Sequence, residues 1–298
     1  MKIFLILFLW INTSYAQELE DLSSLPDDKE ESNNSNKKSK LEYPLWEVGV
    51  GLIYAVAPDY PGANHSSYYK IPVPAFIYRG EIMRSEMMKG GKQGGLKGRF
   101  IQEKDYEFNI SIGGALPSKS KFNPTRIGMD DLDTMVELGP AFILKLYDAE
   151  RFSLKLTLPL RIALSTDFTS LSERGLVFNP ILSYIHKDIL IDNSFLFTAI
   201  SVRFATQKLH SYFYQVNPKD VTSNRPLYGA LGGYLSTSIS LGLGRSFDDN
   251  KMIFLGYRQS LLGGAANEDG PLLVSKSNSS FAIGLVWWFW QSKTKGHK

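Results

Sequence analysis

Side chains that could perform nucleophilic or acid–base chemistry are scarce in this sequence. Its 298 residues include no cysteine, which excludes disulfides, thiolate metal sites and cysteine nucleophiles. The histidines are His65, His186, His210 and His297. A catalytic serine needs a base within hydrogen-bond reach, but Ser183 and Asn179 have the opposite parity to His186 within one predicted strand. Residues of opposite parity face opposite sides of a sheet, so we predict no catalytic site, no cofactor and a protein that is not an enzyme.

A second group of chemically active residues is charged and alternates with apolar residues. Its members are Glu107, Glu137, Lys145, Lys155, Arg161, Arg203 and Arg258, five of which are basic. If strands enclose an interior, charges inside it must form ion pairs or remain hydrated, because isolated burial is costly. Two interpretations stay open: a polar plug of salt bridges that stabilises the wall, or a narrow passage that prefers anions.

Acidic residues also occur in predicted loops, at Asp130, Asp131, Asp133, Asp167, Glu268 and Asp269. Carboxylate oxygens can bind divalent cations, but the glycine and ligand spacing of a calcium loop is missing. We therefore predict solvated loop tips and no metal site. The 33 Lys and Arg residues nearly balance the 30 Asp and Glu residues, which excludes a nucleic-acid partner held by phosphate neutralisation.

The elements that position these residues are predicted to be strands, because apolar residues recur with a period of two. In the segment 152–164, every second residue from Phe152 to Leu164 is a large apolar one. This alternation is longer than most soluble strands and fits a strand that crosses a bilayer at a tilt. The same pattern recurs along the chain as far as Phe289.

We predict about twelve strands, at 45–57, 68–79, 81–88, 95–102, 105–115, 134–147, 151–164, 175–187, 194–206, 228–246, 251–262 and 279–290. Short turns near Gly80 and at 104–105, 148–149, 188–193 and 248–250 alternate with longer loops at 58–67, 89–94, 116–133, 165–174, 207–227 and 263–278. Short periplasmic turns and long extracellular loops are typical of outer-membrane barrels. An even number of strands places both termini in the periplasm.

Either a soluble sandwich or a membrane barrel could produce these alternating faces. The polar faces are rich in Gly, Ala and Ser, which suits a crowded barrel interior. Aromatic residues collect at strand ends, as interfacial girdles do; they include Trp46, Tyr147, Trp287, Phe289 and Trp290. We therefore predict an all-β fold, a closed antiparallel transmembrane β-barrel over residues 43–290.

The segments on either side of the predicted barrel are of different character. Residues 1–16 combine a basic start, a short apolar run and small residues at Ser14 and Ala16, which indicates a cleaved signal peptide. Residues 17–42 contain no aromatic residue, valine or isoleucine, which predicts a disordered periplasmic leader. Residues 291–298 form a polar, basic tail.

Several short segments together resemble one known family. They are 58–63 (PDYPGA), 72–80 (PVPAFIYRG), 139–140 (GP), 212–216 (YFYQV), 224–228 (NRPLY), 232–233 (GG), 256–261 (GYRQSL), 265–266 (AA) and 270–272 (GPL). In this order and spacing they resemble the MltA-interacting protein family, the MipA/OmpV-like outer-membrane barrels, over about residues 45–290. The resemblance implies a location in the outer membrane of a Gram-negative bacterium.

The resemblance also implies a non-catalytic scaffold that links the outer membrane to peptidoglycan-remodelling enzymes. The expected partners are the outer-membrane lipid bilayer, a periplasmic lytic transglycosylase or murein synthase, and the barrel-assembly machinery. Because the chain continues past Trp290, Phe289 or Trp290 would act as an internal assembly signal. A narrow porin-like solute channel is the alternative function, and a lipid-modifying barrel enzyme ranks third.

Overall fold

A computed structural model describes residues 44–79, 84–86, 95–97, 101–102, 105–189, 191–248 and 250–294. The predicted signal peptide (1–16) and leader (17–42) lie outside the described residues, as do the turn near Gly80, the loop 89–94 and most of the tail. No helix in the described part of the chain is long and apolar enough to cross a membrane.

The described residues form one antiparallel sheet of fourteen strand segments. They are β1 (Trp46–Pro58), β2 (Ser66–Arg79), β3 (Arg84–Glu86), β4 (Gly95–Lys97), β5 (Ile101–Gln102), β6 (Tyr106–Ala115), β7 (Thr134–Asp148), β8 (Phe152–Thr166), β9 (Leu171–Phe178), β10 (Ile181–Lys187), β11 (Ser194–Ala205), β12 (Gly233–Asp248), β13 (Lys251–Leu261) and β14 (Ser277–Gln291). The described chain has one α-helix, α1 (Gln207–Tyr214), and two short 3₁₀ helices, Ser120–Phe122 and Pro218–Asp220.

Most strands that are neighbours in sequence pair in the sheet, β9 and β10 each pair with both β8 and β11, and β1 also pairs with β14. The order is therefore circular except at one point, between β4 and β5, which are the two ends of the path. These two short strands belong to one predicted strand, 95–102, whose residues 98–100 lie outside the described chain. Strands β9 and β10 likewise correspond to one predicted strand, interrupted at Asn179 and Pro180.

Three details of the predicted connections are wrong. The predicted loop 165–174 is a turn at 167–170, because β8 continues to Thr166 and β9 begins at Leu171. Asp167 stabilises this turn by accepting backbone hydrogen bonds from Thr169 and Ser170. The predicted loop 207–227 contains α1, and the strand predicted from residue 228 begins at Gly233.

The outer face of the sheet is apolar, whereas the exposed face of a sheet in a soluble protein is polar. The outer face carries exposed large apolar side chains along the strands, including Leu52, Leu138, Leu160, Ile200, Ile239, Leu255, Ile283 and Leu285. The inner face buries Gly, Ala, Ser and charged residues, together with an apolar cluster that includes Phe195, Phe197, Met252, Phe254 and Trp288. An apolar outer face of this extent is unstable in water and is stable when lipid covers it.

Aromatic side chains lie at both ends of the strands. At one end are Trp46, Tyr147, Phe152, Tyr184, Trp287, Phe289 and Trp290, several of them in ring–ring contact. At the other end are Tyr68, Phe178, Phe204, Tyr234 and Phe281. The chain enters and leaves the sheet at the first end, where the amide of Ser292 donates to Trp46 O.

The long connections at the second end fold into a compact cap, made of residues 58–65, 116–133, 206–232 and 262–276. Buried apolar side chains from all four segments form one cluster, which includes Tyr60, Ala63, Leu132, Leu209, Phe213, Tyr214, Val216, Ala230, Leu262, Ala265 and Leu272. Helix α1 contributes Leu209 and Phe213, which are four residues apart and therefore share one helix face. The same cluster includes Met135, Ala163, Val177, Ala205 and Leu235 of the strands, so the cap packs onto the inner face of the sheet.

Candidate functional site

A cluster of buried charges lies on the inner face, near the middle of the sheet. The Glu137 carboxylate on β7 lies between two guanidinium groups: Nη1 of Arg161 on β8 is 3.6 Å from one oxygen, and Nη2 of Arg203 on β11 contacts the other. Glu137 and Arg161 are fully buried. Asn179 accepts a hydrogen bond from Arg161 at 3.4 Å and donates one to Val202 O at 2.9 Å.

Irregular backbone surrounds this charged cluster. Pro140 on β7 and Pro159 on β8 remove amide donors, and the β7–β8 register omits Gly139 and Pro140. The break between β9 and β10 falls at Pro180, and β11 has a bulge after Arg203. Prolines and bulges interrupt the ladder, so the side-chain bonds of the cluster replace part of the missing backbone pairing.

The other charges predicted for the interior also lie on the inner face. The Lys145 ammonium is 2.9 Å from Glu107 Oε1. Lys155 is buried on β8. Arg258 on β13 donates to Ser240 Oγ on β12 from both Nε and Nη2, each at 3.0 Å. All seven predicted residues therefore lie on the inner face of the sheet.

The sequence analysis missed two polar residues of the inner face. Glu47 on β1 is 1% exposed, and it shares its parity with Gly49 and Gly51, a signal that could have revealed it. Asn179 was considered as a partner of a catalytic histidine, but it binds Arg161. Its role arises from the break between β9 and β10, which parity alone does not predict.

A cavity of about 70 Å³ lies between the cap and the inner face. Its floor and walls are polar, with Asn179, Ser201, Arg203, Ser236, Ser238, Arg258, Ser260, Asn278 and Ser280, and Tyr60, Pro61 and Phe213 of the cap also line it. A cavity of this size can hold a few water molecules, because a single water needs at least ~10–15 Å³. It accommodates water or a small ion and is too small for a sugar.

Buried hydrogen bonds join the segments of the cap. Asp59 is 5% exposed and bonds His65 Nδ1 at 2.8 Å, Ser67 Oγ at 2.6 Å and Asn123 Nδ2 at 2.7 Å. Tyr60 Oη donates to Leu272 O at 2.8 Å. Desolvation raises the pKa of Tyr60 to about 12, so its hydroxyl remains a donor at any physiological pH.

Two arginines bind backbone carbonyls inside the cap. Arg126 donates to Phe213 O at 3.0 Å and to Asp130 O at 3.2 Å, and its guanidinium lies 5.5 Å from the centre of the Tyr60 ring. Burial lowers the pKa of Arg126 from its ordinary value. Arg225 binds the carbonyls of three cap residues, Asp220, Thr125 and Ile127. These contacts attach 116–133 to 206–232.

A third polar contact in the cap involves a histidine. His210 on α1 is 1% exposed; its Nε2 lies 3.2 Å from Gly233 O, and its Nδ1 lies 2.6 Å from Nδ2 of Asn267. Asn267 is fully buried and also bonds the amide and the carbonyl of Leu231. Desolvation lowers the pKa of His210 below its ordinary value.

The structure brings no catalytic constellation together around His186. Its ring is on the outer face, stacked with Phe152, whereas Ser183 is buried on the inner face. His210 and His65 bond cap residues, as described above, and His297 lies outside the described chain. The opposite facing of Ser183 and His186 agrees with the parity of the sequence.

The acidic loop residues mostly bind neighbouring protein groups. Asp131 accepts from Lys119 Nζ at 2.9 Å, and this bond is the main reason why its pKa is lowered. Asp130 pairs with Lys219 at 2.9 Å, and Glu268 pairs with Lys276. Hydrogen bonds from the Ser170 and Thr169 amides lower the pKa of Asp167. Within the described ranges, no three His, Asp or Glu side chains are grouped closely enough to hold a metal ion.

The chain is an all-β antiparallel sheet with an apolar outer face, buried charges on its inner face and a folded cap, and an apolar outer face is a feature of outer-membrane barrels. The model of one protein family, described as MltA-interacting protein MipA, matches residues 50–289. The chain belongs to this family, which confirms the resemblance found in the sequence. Five of the nine segments that carry that resemblance lie in the cap: 58–63, 212–216, 224–228, 265–266 and 270–272.

The solved structures to which this chain is similar include a channel, a porin and a transporter. An outer membrane channel from Pseudomonas putida F1 is 12% identical, with a TM-score of 0.46 over 86% of this chain and 100% of that one. The NanC porin is 7% identical, with a TM-score of 0.35 over 82% and 98%. The toluene transporter TodX of Pseudomonas putida is 10% identical, with a TM-score of 0.34 over 82% and 88%. No curated protein sequence matches significantly.

Proposed function

We propose that this chain is a closed barrel of the Gram-negative outer membrane that serves as a non-catalytic scaffold for a peptidoglycan-remodelling enzyme. In this proposal β4 and β5 are parts of one strand that closes the barrel, and the inner face is its lumen. Both termini lie in the periplasm, next to the aromatic end where residues 44 and 294 emerge. The cap then covers the extracellular mouth.

The observation that carries this proposal is the packed cap over a charged, ion-paired inner face. A wide solute pore needs a continuous aqueous path, whereas here a hydrophobic cluster with Tyr214, Leu209 and Leu272 fully buried lies at one end. Below it, Glu137 bridges two arginines across β7, β8 and β11. A barrel closed in this way offers its periplasmic side and leader, rather than its lumen, for function.

The family description names an interaction with MltA, and this supports a lytic transglycosylase as the partner. The test is co-purification of such an enzyme with the full-length protein from detergent-solubilised outer membranes, in parallel with a variant that lacks residues 17–42. We expect the enzyme to be retained by the full-length protein and reduced by the deletion. Absence of any murein enzyme from both samples would refute the scaffold.

One observation favours a second function, a narrow channel that prefers anions. Arg161 and Arg258 are buried on the inner face, Arg203 is partly buried there, and Arg203 and Arg258 line the cavity. In planar bilayers a channel of this kind would give stable openings, and replacement of Arg161 and Arg203 by glutamine would change its anion preference. Unchanged selectivity in a conducting variant would contradict this role of the arginines.

A further inference from the structure

The contact between His210 and Asn267 joins three segments of the cap. His210 lies on α1, Asn267 lies in 262–276, and Leu231 lies in the segment that leads into β12. His210 is 1% exposed and Asn267 is fully buried. Because both side chains are excluded from water, their hydrogen bonds must be satisfied within the protein.

The chemistry of Leu231 determines the orientation of the Asn267 amide. The Leu231 backbone N–H is a donor and binds Oδ1 of Asn267 at 2.8 Å, and the Leu231 carbonyl is an acceptor and binds Nδ2 at 2.8 Å. Tyr228 Oη adds a second donor to Oδ1 at 3.3 Å. Rotation of the amide by half a turn would break all three bonds, so the group directed at His210 is Nδ2–H, a donor.

This orientation determines the protonation state of His210. Its Nδ1 must accept the hydrogen bond from Asn267, so its proton is on Nε2, which donates to Gly233 O. The ring is therefore neutral in the closed cap. A second proton on Nδ1 would place two N–H donors 2.6 Å apart between their nitrogen atoms, and the contact could not persist.

The charged and titratable groups around the ring do not stabilise an imidazolium. On β11, the positive Arg203 opposes protonation of His210. On α1, burial raises the pKa of Tyr214 well above its ordinary value, so Tyr214 stays neutral, and Lys208 pairs with Glu173 on β9. In 262–276, Glu268 pairs with Lys276, and burial, followed by the negative charge of Asp269, raises the pKa of Tyr228.

We propose that His210 makes the cap an acid-sensitive gate: protonation of Nδ1 expels Asn267, separates α1 from 262–276 and opens the extracellular mouth to ions. This inference rests on the proposed closed barrel and adds an activity to it. Helix α1 and 262–276 both lie next to the polar cavity: Phe213 of α1 lines it, and Leu272 of 262–276 accepts the hydrogen bond of Tyr60, which also lines it. Their separation therefore connects the cavity to the outside.

The direction of the pH dependence follows from the buried neutral state. Burial holds the pKa of His210 below its ordinary value, so the contact contributes its full stability to the closed cap above the unfolded pKa of about 6.5. That contribution is lost as the pH falls through the lowered pKa. The gate is closed at neutral pH and opens in acid.

The experiment compares wild type, His210→Gln and a control, His65→Gln, in planar bilayers and by hydrogen exchange at neutral pH and at about pH 4.5. A glutamine at 210 keeps an amide donor toward Gly233 and does not titrate. His65 is a matched cap histidine, but its partner is Asp59, which tolerates a charged ring. Exchange rates are corrected for the intrinsic effect of pH.

We expect acid to induce conductance and to increase exchange in 207–233 by about tenfold or more in wild type and in His65→Gln. His210→Gln should stay closed in acid, although it keeps every carboxylate of the cap. If His210→Gln opens as wild type does, carboxylate titration is responsible and the inference is wrong. Unchanged exchange in acid-treated wild type would also overturn it.

A second variant, Asn267→Ala, allows the proposal to be tested even if His210→Gln fails to fold. Asn267→Ala removes the donor that faces Nδ1, so the cap should exchange rapidly at both pH values and lose its acid response. A closed, acid-responsive Asn267→Ala would contradict the gate. Conductance of wild type at neutral pH would instead refute the proposal that the cap closes the mouth of the barrel, while the exchange data would still report whether acid loosens the cap.

Discussion

Replacement of Glu137 by glutamine tests whether the buried charge cluster stabilises the sheet. Glu137 and Arg161 are fully buried, and Arg203 is 13% exposed in its side chain. Glutamine keeps the size of the side chain but removes the negative charge between the two guanidinium groups. Loss of one partner from a buried ion pair costs about 3–5 kcal/mol, which changes the unfolding equilibrium by more than a hundredfold.

The assay is urea unfolding of the protein refolded into lipid vesicles, followed by tryptophan fluorescence and by the heat-dependent shift in gel migration. The control is Asp130→Asn, which breaks an exposed pair with Lys219 and should leave the midpoint unchanged within error. The double variant Glu137→Gln/Arg203→Gln should be more stable than Glu137→Gln alone, because it contains one cation fewer. Equal midpoints for wild type and Glu137→Gln would refute the reasoning.

The remaining predictions concern packing in the wall and in the cap. Gly139→Ala should lower the yield of folded barrel, because the added methyl group would lie 2.0 Å from Leu160 O. The control, Gly263→Ala, should fold normally, because its added methyl group meets nothing within 4 Å. The heat-modifiable gel band measures the folded fraction of both variants. Arg126→Ala should destabilise the cap by about 2–4 kcal/mol, since buried carbonyls lose a charged donor, and should make it sensitive to protease in intact vesicles without loss of the barrel band. Equal cleavage of Arg126→Ala and wild type would contradict the second prediction.

Much of the wall could be predicted from the sequence, because period-two alternation is a local property. Leu160 and Arg161 face opposite sides as soon as the segment is extended, and no long-range contact can change that. The inward placement of all seven predicted charges follows from the same rule. It works best on β8, where buried and exposed or partly exposed residues alternate without a break over all 15 residues.

The features that interrupt the alternation could not be predicted in this way. Helix α1 has eight residues rich in aromatic ones, a length at which isolated helices are unstable; it forms because Leu209 and Phe213 pack into the cap. The break at Asn179 is similar, since its position depends on hydrogen bonds with Arg161 and Val202 from neighbouring strands.

The sequence by itself therefore determined the strands, the direction in which each side chain points and the family, because these depend on local alternation and on short motifs. The tertiary structure decided which charges meet, with Glu137 bridging Arg161 and Arg203 across three strands. It also decided that the long connections fold into a cap, in which residues as distant as His210 and Asn267 share one hydrogen bond. Such pairings depend on register and on loop closure over tens of residues, and no local pattern in a chain specifies either of them.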